Sequence, residues 1–189
     1  MRIIGGEARS RQIDAPKGMD TRPTQDKVRE SLFNILQWEI EGRSVLDLFA
    51  GSGALGLEAL SRGAESAVFV DASRQAAKVI QDNVDRLGFS GKARVIRDDW
   101  KSAVGAQAYY DRNVFDLIFL DPPYSMTNTG EMCGYMLSYG ILAPHALIVV
   151  EHAIETPPRL GPEFMAKDFR RYGDTGITFC ILAAKEKAD

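Results

Sequence analysis

Cysteine and histidine are both scarce, with two of each in 189 residues. Cys133 and Cys180 stand far apart in no paired spacing, and neither His145 nor His152 has a second ligand at motif distance. A disulfide framework is therefore excluded, no metal site is expected, and the residues read as packed or surface side chains in a reducing compartment. No run approaches the roughly 20 apolar residues of a membrane span, and the first residues lack the apolar core of a signal peptide. A cytoplasmic protein that touches no membrane and acts as a monomer is expected.

Positive charge is also in short supply. Lys and Arg number 23 against 26 Asp and Glu, a net charge of −3 that argues against coating nucleic acid by charge alone. The charge is unevenly placed, however. Residues 1–29 hold seven basic side chains and four acidic ones, and the other 160 residues carry all of the negative excess. With 45% hydrophobic and 26% charged residues, the chain has the composition of one globular domain rather than a disordered or repetitive one.

Residues 1–23 contain Gly5, Gly6, Pro16, Gly18 and Pro23 and show no sustained periodicity, so they read as an irregular, basic N-terminal arm. The catalytic-type domain is placed at 24–189, with the arm part of the same unit. Thr24 is the expected N-cap of a helix whose apolar positions are Val28, Leu32, Ile35 and Leu36. Buried strands are expected at Val45–Ala50, Ala67–Val70, Ala93–Ile96, Phe115–Leu120 and Ala146–Val150. A helix runs between the second and third: Ser73 caps it, Ala76, Ile80, Val84 and Leu87 form its apolar stripe, and Gly88 ends it. Strand, helix and strand at this spacing imply a parallel sheet covered on both faces. Phe169–Tyr172 and Ile177–Ala183 are too close in sequence for a parallel crossover, so they form an antiparallel hairpin. The fold expected is α/β and Rossmann-like, a mostly parallel seven-stranded sheet with an antiparallel C-terminal hairpin. Ser125–Gly134, polar and glycine-containing, reads as a mobile loop.

The first strand runs into Asp47-Leu48-Phe49-Ala50-Gly51-Ser52-Gly53-Ala54-Leu55-Gly56, a G-x-G-x-x-G at a strand-to-helix junction. Such glycines let the backbone turn sharply beside a ligand and leave helix N–H groups open to it. Asp71 ends the next strand 20 residues after Gly51, where a carboxylate accepts from ribose hydroxyls. Two ligands fit: a dinucleotide, or S-adenosylmethionine. No tyrosine is followed four residues later by lysine, which weakens the hydride-transfer reading. Asp99 ends the third strand beside Trp100, placed for an adenine amino group and an adenine ring respectively.

The fourth strand ends in Asp121-Pro122-Pro123-Tyr124. Pro122 holds Asp121 extended, and the two prolines fix φ through the corner. They also lack N–H groups, so their carbonyls are free to accept from a ligand. Asp121 and a neighbouring carbonyl make two acceptors for an exocyclic NH₂ group, while Tyr124 offers a face for a base to stack on. Those acceptors orient a poorly nucleophilic amine and offset the positive charge it gains as it attacks a sulfonium methyl. Asp47, Asp71, Asp99 and Asp121 together suit a cationic cofactor. The base itself stays open between guanine and adenine, and so does a non-catalytic RNA-binding module that keeps a nucleotide pocket.

These motifs resemble the class I S-adenosylmethionine-dependent methyltransferases of nucleobase amines. The arm narrows the resemblance: Arg2-Ile3-Ile4-Gly5-Gly6, then Arg9 and Arg11, then Thr21-Arg22-Pro23-Thr24, then Val28-Arg29-Glu30-Ser31-Leu32-Phe33-Asn34-Ile35-Leu36 look like the RsmD-type family. That family methylates the 2-amino group of a guanine in small-subunit (16S) ribosomal RNA, and the similarity runs from Arg2 to about Glu151. It implies that Asp121, Pro122, Pro123 and Tyr124 hold the guanine, that Asp47, Gly51, Gly53, Asp71, Asp99 and Trp100 hold S-adenosylmethionine, and that the arm meets the RNA. Arg9, Arg11, Arg22 and Arg29 are then available to phosphates, with Arg22 and Thr24 set by Pro23 at a helix entry.

Overall fold

The computed structural model describes residues 1–18, 23–108, 114–123 and 125–183, with the backbone alone at 23–25. Seven strands form one sheet in the order β3-β2-β1-β4-β5-β7-β6. They are β1 (Ser44–Leu48), β2 (Ser66–Asp71), β3 (Ala93–Arg97), β4 (Phe115–Leu120), β5 (Leu142–Ala153), β6 (Phe164–Tyr172) and β7 (Thr175–Leu182). The first five pair in parallel, and β7 inserts antiparallel between β5 and β6. This is the Rossmann-like sheet expected, with the C-terminal hairpin closing one edge.

Alternation along the strands sorts the core into two layers. Val45, Phe69 and Phe119 face one side, packed by Leu32 and Phe33 of α1 (Pro23–Ile35), Leu57 and Leu60 of α2 (Ala54–Ser61), and Ile80 and Val84 of α3 (Arg74–Leu87). Leu46, Leu48, Val68 and Val70 face the other, against Val104 of α4 (Trp100–Ala106) and Met132 and Met136 of α5 (Thr129–Ser138). Helix α3 follows its signals closely: the Ser73 side chain accepts from Ala76 N–H, and Gly88 ends the helix at a left-handed φ of 84°.

Several boundaries differ from expectation. Helix α1 already includes Pro23, so Thr24 lies inside its first turn rather than at its cap; proline suits the first helical position because its missing N–H has no intrahelical partner there. The 125–134 segment is only partly a loop, because α5 begins at Thr129 and buries Met132, Cys133 and Met136. Strand β1 stops at Leu48, with Phe49 turned into a positive φ of 78°. Strands β5 and β6 run longer than their apolar cores, and each carries a register irregularity.

The arm is part of the core. Ile3, Ala8 and Ile13 are buried in the layer of α1, α2 and α3. Glu58 of α2, fully buried, accepts from Ile4 N–H at 2.7 Å and Gly5 N–H at 2.8 Å and pairs with Arg62. Ser61 receives Ala8 N–H and donates to the Gly5 carbonyl.

Candidate active site

In a parallel sheet of this kind the ligand crevice opens at the C-terminal ends of the strands. Here those ends bring together Asp47 near the end of β1, Asp71 at the end of β2, Asp121 just after β4 and Glu151 within β5. Leu120 pairs with Val150, so Asp121 and Glu151 are the next residues on neighbouring parallel chains.

The glycine loop is tied into this cluster. Gly51 N–H donates to Asp71 Oδ2 at 2.9 Å, and Ser73 N–H donates to the other oxygen at 2.8 Å. One lone pair on each oxygen remains, enough for a diol. Gly53 is the N-cap of α2 with φ 77°, and no side chain caps that helix start. At Gly56 an added Cβ would lie 2.3 Å from the Phe69 ring, so only glycine lets α2 approach β2 this closely. Asn83 links loop and arm, accepting Asp14 N–H and donating to the carbonyls of Asp14 and Ser52.

Asp47 differs from its expected role. Its side chain is buried and accepts Gly56 N–H at 2.9 Å, so it anchors the first turn of α2 from beneath the loop. Burial pushes its pKa up to about 7, with the charges of Asp121 and Asp71 adding to the rise. Asp99 caps α4, accepting from Lys101 N–H and Ser102 N–H, and hydrogen bonding from Ser102 holds its carboxyl below the ordinary range. The half-buried Trp100 ring meets Tyr135 edge-on at 5.2 Å and packs against the α4 and α5 layer.

At the Asp-Pro-Pro corner, Asp121 is half-buried and Pro122 buried. Burial raises Asp121 to about 6, and burial together with the Asp121 charge raises Glu151 to about 8. The Pro123 carbonyl is not free as expected, since Met126 N–H donates to it at 2.7 Å and closes a turn. That leaves the Pro122 carbonyl as the second acceptor beside Asp121. Tyr124 and Arg22 lie outside the described residues, as do the side-chain contacts of Thr24.

The arm arginines divide. Arg9 is exposed; its backbone N–H donates to the Gly6 carbonyl at 3.2 Å, and its side chain has no ion pair or hydrogen bond among the described residues. Arg11 donates to the Leu87 carbonyl at 2.9 Å and to that of Arg86, at the negative end of the α3 dipole. Arg29, only 7% exposed, donates to the Arg2 carbonyl and pairs with Asp26. The last two therefore hold the arm to the body rather than offering their charge to a phosphate.

Glu151 and Thr129 were not apparent as site residues from the sequence. They line a small recess with Pro122, Thr127 and His152. The signal for Glu151 is its position: it follows the apolar run of β5 as Asp121 follows that of β4.

Residues 1–181 match the family described as conserved hypothetical protein 95. The chain belongs to this family. Among its relatives, Ribosomal RNA small subunit methyltransferase D of Escherichia coli K12 is 41% identical over 155 residues, covering 82% of this chain and 76% of that protein. YlbH of Bacillus subtilis is 40% identical over 179 residues, 94% of this chain and 96% of that one. The solved structure of Escherichia coli yhhF superposes with a TM-score of 0.85 at 35% identity, covering 98% of this chain and 99% of that one. Membership of the conserved hypothetical protein 95 family, the RsmD family of the sequence reading, thus spans both the arm and the sheet.

Proposed function

We propose that the protein transfers a methyl group from S-adenosylmethionine to the exocyclic 2-amino group of a guanine in small-subunit ribosomal RNA. The observation that carries this reading is the pairing of a backbone-braced glycine loop with the rigid Asp121-Pro122 corner in one crevice. Relatives at 41% and 35% identity named for small-subunit ribosomal RNA methylation support the substrate class.

The residues present fit such a cofactor. Burial first, and then repulsion from Asp121 and Asp71, raise Asp47's affinity for its proton, so a cation among these groups offsets part of that cost. Asp71, already aimed by Gly51 and Ser73, would hold the ribose hydroxyls, and Gly51 and Gly53 would lie against the cofactor. When bound, S-adenosylmethionine supplies an electrophilic methyl group on a sulfonium.

The rest of the work falls to the chain. Asp121 and the Pro122 carbonyl accept the two hydrogens of the amino group and direct its lone pair toward the methyl group. Asp121 also offsets the positive charge that develops on the nitrogen. With Pro122 buried and Pro123 locked in a turn, the acceptors do not reorganise during the reaction. The arm presents Arg9 to the RNA backbone while the base is turned into the crevice.

Substituting Asp121→Ala tests the assignment. Methyl transfer to small-subunit RNA should fall by at least about a hundredfold, while cofactor affinity by calorimetry changes by less than about tenfold. Retained transfer would refute the role given to Asp121.

A further inference from the structure

Three polar groups at the corner have no use within the described fold. The carboxylates of Asp121 and Glu151 accept no hydrogen bond among the described residues, although burial weighs on both. Thr129 Oγ1 is buried, its residue 2% exposed, and has no partner among the described residues. A buried hydroxyl or carboxylate without a partner costs stability, and such groups in native proteins meet a ligand or water. Thr129 and Glu151 line one recess beside Pro122, too small for more than a single polar atom. The neighbouring His152 does not fill it, because both its ring nitrogens are engaged, by the Ala153 carbonyl and Thr178 Oγ1.

Two acceptors followed by a donor match one nucleobase edge. Guanine presents its 2-amino group, then the N1 hydrogen, then the O6 acceptor, whereas adenine and cytosine place a bare ring nitrogen next to their amino group. We propose that Glu151 and Thr129 are the base-specificity residues of the site: Glu151 accepts the N1 hydrogen of the target guanine, and the Thr129 hydroxyl donates to its O6 seated in the recess.

Asp121 keeps the 2-amino group, so the reacting nitrogen and the read-out edge meet different residues. Once ionised, Glu151 discriminates by repulsion as much as by attraction: the N1 hydrogen of guanine stabilises the carboxylate, whereas a bare ring nitrogen sets two acceptors against each other. The donors on guanine also satisfy two carboxylates that the folded chain leaves side by side. This assignment rests on the methyl-transfer reading and adds to it which groups choose the base.

The test, run at about pH 8.5 so that Glu151, raised to about 8, is mainly ionised, uses small-subunit RNA carrying guanine or 2-aminopurine at the methylated position. 2-Aminopurine keeps the 2-amino group but has a bare N1 and no O6. Wild-type protein should favour guanine by about a hundredfold or more in kcat/KM, as expected where a buried group is left unpaired. Glu151→Gln, whose amide donates to a bare N1, should narrow that preference to within about tenfold, by losing on guanine and gaining on 2-aminopurine. Thr129→Val should lower transfer to guanine about tenfold and leave 2-aminopurine unchanged, because that base has no O6 to lose. If both variants slow both bases by one common factor, the recess holds only a structural water and the inference is overturned. Transfer by the wild type to neither base, with label appearing elsewhere, would instead count against the guanine 2-amino group as the target. Cofactor affinity measured for each variant separates loss of fold from loss of selectivity.

Discussion

Gly51 donates its backbone N–H to Asp71 at 2.9 Å, so the acid that ends β2 is also the support of the glycine loop. Replacing Asp71 by alanine removes the diol acceptor and frees the loop at once. Affinity for S-adenosylmethionine should fall by at least about a hundredfold, roughly 2.7 kcal/mol, by calorimetry. A change of less than threefold would show that Asp71 braces the loop without meeting the cofactor.

The arginines of the arm should separate by type of defect. Arg9→Ala should weaken RNA binding and lower the salt slope by about 1, with thermal stability unchanged. Arg11→Ala should instead lower thermal stability, because it uncaps the C-terminal carbonyls of α3. A reduced salt slope for Arg11→Ala at unaltered stability would reverse this assignment.

Glu58 gives the arm its fixed path. Glu58→Ala leaves Ile4 N–H, Gly5 N–H and Arg62 without their shared acceptor in a buried setting. A loss of about 3 kcal/mol is expected in denaturant unfolding. Loss under about 1 kcal/mol would mean that the arm is held by its apolar contacts alone.

The crevice carboxylates make stability depend on pH in a definite direction. Asp47, Asp121 and Glu151 sit at about 7, 6 and 8 when folded, above the value of roughly 4 for unfolded carboxylates. Groups raised in this way contribute their full stability below the unfolded value and lose it as pH climbs through the folded values. The thermal midpoint of the cofactor-free protein should therefore drop by several degrees between about pH 5 and pH 8. Saturating S-adenosylmethionine should shrink that drop by supplying positive charge. A midpoint that rises across the interval would contradict the cluster.

Much of this was legible in the chain. The apolar runs placed the five parallel strands, and the few residues from Gly173 to Gly176 required the last two to pair as an antiparallel hairpin. Ser73 and Gly88 bounded α3 correctly because cap chemistry is local. Helix α5 escaped notice because Gly130 and Gly134 interrupt it, leaving Met132, Cys133 and Met136 as its one apolar signal. Strand β6 looked short because it is the edge strand, with Met165 and Phe169 about half exposed. The roles of Arg11 and Arg29 were hidden for another reason: their partners are mainly backbone carbonyls far along the chain, which side-chain identity cannot reveal. Glu151, half-buried, and Thr129, buried, draw their meaning only from lining one recess beside Pro122.

Transfer to the guanine 2-amino group leaves one defined product in the RNA. Small-subunit RNA incubated with the protein and labelled S-adenosylmethionine, then digested to nucleosides and separated, reads this out directly. Label is expected in N2-methylguanosine and is lost with Asp121→Ala. Label in a methylated adenosine, or none in any nucleoside, would contradict this assignment.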